Sequence, residues 1–266
     1  MDLRFTLIGF LIGFLIGLTG MGGGSLMTPV MILVMGVKPL IAVGTDLAYG
    51  AVTRMFGGAV HLRQQTVHRR TAYLLAAGSV PATVLGVELI TEIKRSDPSF
   101  VNVFLLHSIA WALILVALVL AAKPLIFAGA ARLRSRSAPD WRDQIQAAGM
   151  RRVWLLPVIG GAVGFLVGLT SVGAGSLIIV SLLFLYPRWE SKELVGTDVF
   201  HAALLVSAAS VAQFAAGNVN VPMTVWLLLG SIPGVLLGSR MVLGISESLL
   251  RFSLAGVLLV SGAKLL

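Results

Sequence analysis

The chain has 266 residues, 57% of them hydrophobic, and its mean hydropathy is +0.96. Charged residues make up 12%, against about 25% in ordinary soluble domains, too few to cover a soluble globule of this size. The net charge of +9 does not indicate nucleic-acid binding, because Lys and Arg lie between apolar runs and form no polar face. The absence of cysteine excludes disulfides, thiolate metal sites and thiol catalysis.

No Asp, Glu, Lys or Arg occurs over residues 5–37, 153–187 or 199–239. Runs of this kind, without alternating polarity, predict membrane helices and not a barrel. The first predicted segments are 5–20 and 24–37. Read as one helix they would run ~50 Å, against an apolar core of about 30 Å. Glycines at 20, 22, 23 and 24 interrupt them, each costing about 1 kcal/mol in a helix interior, which predicts a hairpin of short or partial helices. Segments 41–60, 71–91 and 100–122 follow, then a basic stretch, then 153–171, 174–187, 195–216, 222–243 and 249–266.

The second series repeats the first. Gly13–Leu26 aligns with Gly164–Leu177, with ten of fourteen positions identical; Val43-Gly-Thr-Asp46 matches Val195-Gly-Thr-Asp198, and Gly78-Ser-Val-Pro81 matches Gly230-Ser-Ile-Pro233. The offset is 151 in the first block and 152 in the others. The fold class expected is an all-α polytopic membrane protein of two inverted five-segment repeats, each opening with a glycine-broken, re-entrant-like hairpin. Its units are a first membrane repeat over 1–131, a basic cytoplasmic linker over 132–152 and a second membrane repeat over 153–266. Loop 61–70 carries Arg63, Arg69 and Arg70, whereas its equivalent, 213–222, carries no Lys or Arg. Opposite sides of the membrane explain that difference. With stretch 123–152 cytoplasmic, both termini are expected outside.

Inverted repeats with broken segments at matched depths point to a midplane substrate site. A helix start inside the bilayer offers unbonded N–H groups and a positive dipole end to an anion. Candidate substrate-binding residues are Gly22, Gly23, Gly24 and Ser25 in the first tip, Gly173, Gly175 and Ser176 in the second, and Thr45, Thr197 and Arg54. Small residues also serve helix packing, the alternative reading of the glycines. Asp46 and Asp198 are intramembrane carboxylates, candidates for proton coupling with His201; helix capping is the competing role for the aspartates. Arg54 lies eight residues after Asp46, on the same helical face, and could bind the anion or neutralise Asp46.

The turn Gly20-Met-Gly-Gly-Gly-Ser25, the Val-Gly-Thr-Asp segment, Gly-Ala-Val-His61 and Gly-Ser-Ile-Pro-Gly234 together resemble the TauE/SafE family of sulfite and organosulfonate exporters, over nearly the whole chain. The second tip, Val172-Gly-Ala-Gly175, is less glycine-rich than the first. The resemblance implies a secondary transporter exporting a small sulfur oxyanion, sulfite or a small organosulfonate such as sulfoacetate, across the bacterial inner membrane. A proton-linked, alternating-access mechanism is expected, with the anion, protons and the lipid bilayer as partners. No cofactor, metal or nucleic acid is expected, and oligomeric state stays open. The alternatives are a carrier of another small solute or a divalent cation held by Asp46, Asp198 and His201, and a non-transporting scaffold. No nucleophile–base constellation points to an enzyme.

Overall fold

The computed structural model describes residues 3–19, 25–134, 149–187, 189–241 and 247–266, and these form ten helices and no strand. The first five are α1 (Leu3–Thr19), α2 (Met27–Leu33), α3 (Pro39–Arg63), α4 (Arg69–Ser96) and α5 (Phe100–Arg134). Then come α6 (Gly149–Thr170), α7 (Ala174–Leu185), α8 (Ser191–Ala215), α9 (Val221–Met241) and α10 (Glu247–Leu265). Each answers to one predicted segment. Among the described residues, five helices are long and apolar enough to cross a membrane: Arg69–Ser96, Phe100–Pro124, Val153–Thr170, Ser191–Ala215 and Val221–Gly238. Leu3–Leu18 and Ala174–Leu185 are apolar but shorter.

Local chemistry sets the ends. Pro39 opens α3, where a missing N–H costs nothing. At α8, the Glu190 N–H donates to Glu193 Oε2 at 2.9 Å, one arm of a capping box. Gln65 (φ 57°) and Gly217 (φ 69°), one repeat apart, take the left-handed conformation just beyond α3 and α8. α2 is shorter than its predicted segment, 24–37: the Val34 and Met35 N–H groups both turn to the Val30 carbonyl, and Gly36 follows at φ 65°. Gly20, Gly22, Gly23 and Gly24 lie outside the described residues, as does 135–148 of the basic linker.

Glycine seams fix the packing. A Cβ on Gly230, Gly234 or Gly238 of α9 would sit 1.8, 2.3 or 2.2 Å from the carbonyl oxygens of Thr6, Phe10 and Phe14 of α1. Both numbers of each pair rise together, so α1 and α9 run parallel. On the other side, Gly160, Gly164 and Gly168 of α6 abut the carbonyls of Leu75, Ser79 and Thr83 of α4, again a parallel pair. α3 and α8 cross antiparallel, with Gly50 against Val206 and Gly57 against Val199. α9 follows α3, through Gly44 against Asn218, Thr45 against Asn220 and Tyr49 against Ser231. α4 follows α8, through Tyr73 on Phe200 and Ser79 on His201. The helix pairs α1/α6, α3/α8 and α4/α9 each run in opposite directions. Outward faces are apolar, with Leu7 and Leu11 on α1, Trp111 and Leu118 on α5 and Leu229 and Leu236 on α9 exposed, as contact with lipid tails requires.

Candidate functional site

α3 and α8 carry the polar centre. Asp46 is 1% and Asp198 3% exposed. Neither caps a helix: Lys38 and Glu190 hold the N-cap positions, and both aspartates lie inside their helices. That removes the capping role.

The two carboxylates have different surroundings. Thr28 Oγ1 of α2 donates to Asp46 Oδ2 at 2.6 Å, and Ser171 Oγ, at the break between α6 and α7, donates to the same oxygen at 2.8 Å. Asp46 Oδ1 has no partner among the described residues. Asp198 Oδ1 likewise has none, and Asp198 Oδ2 faces the backbone at Gly175, where a Cβ would stand 3.3 Å away. In the other repeat, Gly20 and Ile179 are the aligned positions of Ser171 and Thr28, and neither carries a hydroxyl. Gly173 begins α7 at φ 97°, a conformation suited to glycine. Ser176 Oγ, one residue past Gly175, is buried without a partner.

Arg54 lies in electrostatic range of Asp198 and Asp46, with Asp198 the stronger interaction. Its Nη1 is buried without a hydrogen-bond partner among the described residues. Arg54 thus interacts with Asp46, as the sequence suggests, and also with Asp198. His201 Nε2 bonds Ser79 Oγ at 2.8 Å, leaving Nδ1 buried and unpartnered. Among the described residues no three His, Asp or Glu side chains converge as metal ligands.

Sequence reasoning missed Tyr49. Its hydroxyl meets Ser231 Oγ at 2.5 Å, and this pair sits one repeat from His201 and Ser79. The Gly-Ser-x-Pro blocks thereby gain a purpose: glycine admits the neighbouring helix, and serine crosses to α3 or α8. Thr45 and Thr197 are also matched. Thr45 Oγ1 accepts the Asn220 N–H at 3.1 Å, and Thr197 Oγ1 accepts the His68 N–H at 3.0 Å, so each anchors the loop entering a helix of the other half. Ser25 lies at the start of the described first tip, half-buried. The remaining first-tip candidates, Gly22, Gly23 and Gly24, lie outside the described residues, so Ser25, Gly173, Gly175 and Ser176 represent the tips here.

One face of the bundle carries a further cluster. Trp189 stacks between His68 (3.9 Å) and Tyr186 (4.4 Å), and Glu193 Oε1 lies 3.4 Å from His68 Nε2. Burial lowers the imidazole pKa and Glu193 partly restores it. Beside it is a cavity of about 360 Å³, lined by residues including Gln65, Arg69 and Arg70. At the start of α8, Lys192 Nζ pairs with Glu190 Oε2 at 2.9 Å.

Apolar helices around a buried charged centre, with broken helices leading into it, define a multi-pass membrane protein of the transporter class. The family described as "Sulfite exporter TauE/SafE" matches residues 5–265, and the chain belongs to that family. It is 38% identical over 266 residues, the whole of both chains, to a protein named "Probable membrane transporter protein YjnA" from Bacillus subtilis (strain 168). Two further proteins of that organism, named as probable membrane transporter proteins YunE and YdhB, are 28% and 22% identical over 91% and 88% of this chain and 87% of each of theirs. No solved structure matches the chain.

Proposed function

We propose that this protein exports a small sulfur oxyanion, sulfite or a small organosulfonate, across the inner membrane by proton-linked alternating access. The observation that carries the reading is Arg54: a half-buried arginine in electrostatic range of two buried carboxylates, with one buried guanidinium nitrogen unpartnered. A buried cationic nitrogen of this kind is costly without a partner. An anion entering beside it would gain a charge-assisted bond, and protonation of Asp198 would relieve the repulsion. Gly173, Gly175 and Ser176 supply the close backbone approach and a free hydroxyl, with Gly22, Gly23, Gly24 and Ser25 as their first-half counterparts. Thr45 and Thr197 brace the helices that carry the aspartates. His201, through its free Nδ1, is the relay between Asp198 and the Ser79 side.

Opposed counterpart helices support two inverted repeats, which alternating access uses by rocking one against the other. The placing of stretch 123–152 in the cytoplasm and both termini outside rests on the Arg-rich loop 61–70 and the cation-free 213–222.

The test is flux of radiolabelled sulfite in liposomes, with and without an imposed pH gradient. The reading expects gradient-accelerated flux, loss of that acceleration in Asp198→Asn, and loss of flux in Arg54→Gln. Gradient-driven flux that survives Asp198→Asn unchanged removes the aspartate from coupling. Flux that survives Arg54→Gln removes the anion site from this position.

A further inference from the structure

Three oxygens meet around Asp46. Thr28 Oγ1 to Asp46 Oδ2 is 2.6 Å, Ser171 Oγ to Asp46 Oδ2 is 2.8 Å, and Thr28 Oγ1 to Ser171 Oγ is 2.6 Å. All three side chains are at most 3% exposed. Each contact is of hydrogen-bond length and each needs one hydrogen. The two hydroxyls supply two. A third hydrogen closes the triangle, and a protonated Asp46 provides it at Oδ2.

We infer that Thr28 and Ser171 are positioning residues that, by closing this ring on a protonated Asp46, lock the break of the second hairpin onto the first half. The ring joins α2, α3 and the α6–α7 break. Its second-half member is backbone-strained: Ser171 takes φ 60°, a region that non-glycine residues occupy when their surroundings hold them there. Loss of the Asp46 proton to water leaves two hydrogens for three contacts. One edge then opens, and release of Ser171 also relieves the strained backbone. The ring is one-sided, since Gly20 and Ile179 stand at the aligned positions. The charged and titratable groups around it are Arg54 and Tyr49 on α3, and Asp198 and His201 on α8, which share Arg54. Lys123 of α5 faces Asp198. Among the described residues, α2, the α6–α7 break and α9 bring the hydroxyls of Thr28, Ser171 and Ser231. The proton-linked reading above gives the lock its purpose, but the lock is measurable without flux.

The chain has no cysteine, so Val172→Cys, fully buried beside Ser171, can report the break through its rate of reaction with N-ethylmaleimide. Two independent substitutions remove a ring hydroxyl: Ser171→Gly, which also suits the backbone, and Thr28→Val, which keeps the shape. Each is expected to speed labelling at least about tenfold, the equilibrium worth of one buried hydrogen bond. Asp46→Asn cannot titrate. The labelling rate relative to Asp46→Asn, a ratio that cancels the thiol's own ionisation, is expected to rise with pH and to be flat once Ser171→Gly is present. Rates within twofold of the parent in both hydroxyl variants, or a ratio flat with pH in the parent, overturn the lock. A flat ratio with gradient-driven flux intact overturns the lock alone. An intact lock without sulfite flux overturns the transport reading alone.

Discussion

Gly78 tests whether the glycine seams hold the bundle together. A Cβ at Gly78 would stand 1.8 Å from the Pro157 carbonyl oxygen and 2.6 Å from its carbon, where real Cβ contacts essentially never fall under 3.0 Å. Gly78→Ala must therefore push α4 and α6 apart by more than an ångström. The displacement cannot stay local, because Gly160, Gly164 and Gly168 lock the same two helices at 2.2, 2.3 and 2.4 Å from opposing carbonyls. Overpacking of this kind costs about 1–3 kcal/mol, while the better helix propensity of alanine returns at most about 1 kcal/mol. Gly256 on α10 is the control, since a Cβ there would meet nothing within 4 Å and only the propensity gain remains. Equilibrium unfolding in detergent micelles should place Gly78→Ala about 1–3 kcal/mol below Gly256→Ala. The repeat-equivalent Gly230→Ala, also 1.8 Å from a carbonyl oxygen, that of Thr6, should behave like Gly78→Ala. Equal stability of the Gly78 and Gly256 variants would refute the close seam.

Tyr49→Phe and Ser231→Ala should each destabilise by about 1–3 kcal/mol, the cost of orphaning a buried polar group. Their double variant should fall short of the sum, as a double-mutant cycle would read. The His201→Gln and Ser79→Ala cycle should give the same sign of coupling; additive effects in either cycle would remove that cross-half bond. His68 gives a pH prediction. Burial lowers its pKa in the folded chain, so below about pH 6.5 the unfolded chain binds the extra proton more readily. Stability should therefore fall as the solution is acidified from pH 7.5 to 5.5, and thermal unfolding of His68→Gln should show a smaller fall. Glu193→Gln removes the group that partly restores the imidazole, and should make the fall steeper.

The fold was legible because its signals are long. Ten apolar segments and three aligned blocks place every described helix, and the short-helix reading of 24–37 and 174–187 follows from glycine and length. Asp46, Asp198 and Arg54 stand out because ionisable groups are rare in apolar runs. The ring partners do not. Thr28 and Ser171 are single hydroxyls with no polar counterpart in the other repeat, and nothing local says that residues 143 apart in the chain meet at 2.6 Å. Tyr49 reads as an ordinary packed aromatic on a small-residue helix, and its partner Ser231 lies on the opposite half. The duplication was the available signal: Tyr49 falls three residues after Asp46, as His201 does after Asp198, and both face the serine of a Gly-Ser-x-Pro block. Thr45 and Thr197 were legible as polar and matched, but their work at loop entrances depends on where α4 and α9 begin.

The two repeats agree where backbones meet and differ where chemistry is needed. Gly78 and Gly230, Ser79 and Ser231, and Thr45 and Thr197 preserve matched packing and anchoring, so one frame serves both halves. At the centre the matched positions diverge: Tyr49 against His201, Arg54 against Val206, Ser171 against Gly20, Thr28 against Ile179. The last three changes move charge or hydrogen-bonding capacity to one side, and the first exchanges a phenol for an imidazole. A symmetric pair of aspartates with symmetric partners would share any proton between two equivalent sites. Here Asp46 is held by two hydroxyls from two elements, while Asp198 stands against glycine backbone beside an unpartnered serine and imidazole nitrogen. Exchanging the two environments, by Thr28→Ile with Ser171→Gly and by Ile179→Thr, should shift pH dependence from the labelling of the second hairpin towards Asp198, and an unchanged profile in that variant would show that the asymmetry lies elsewhere.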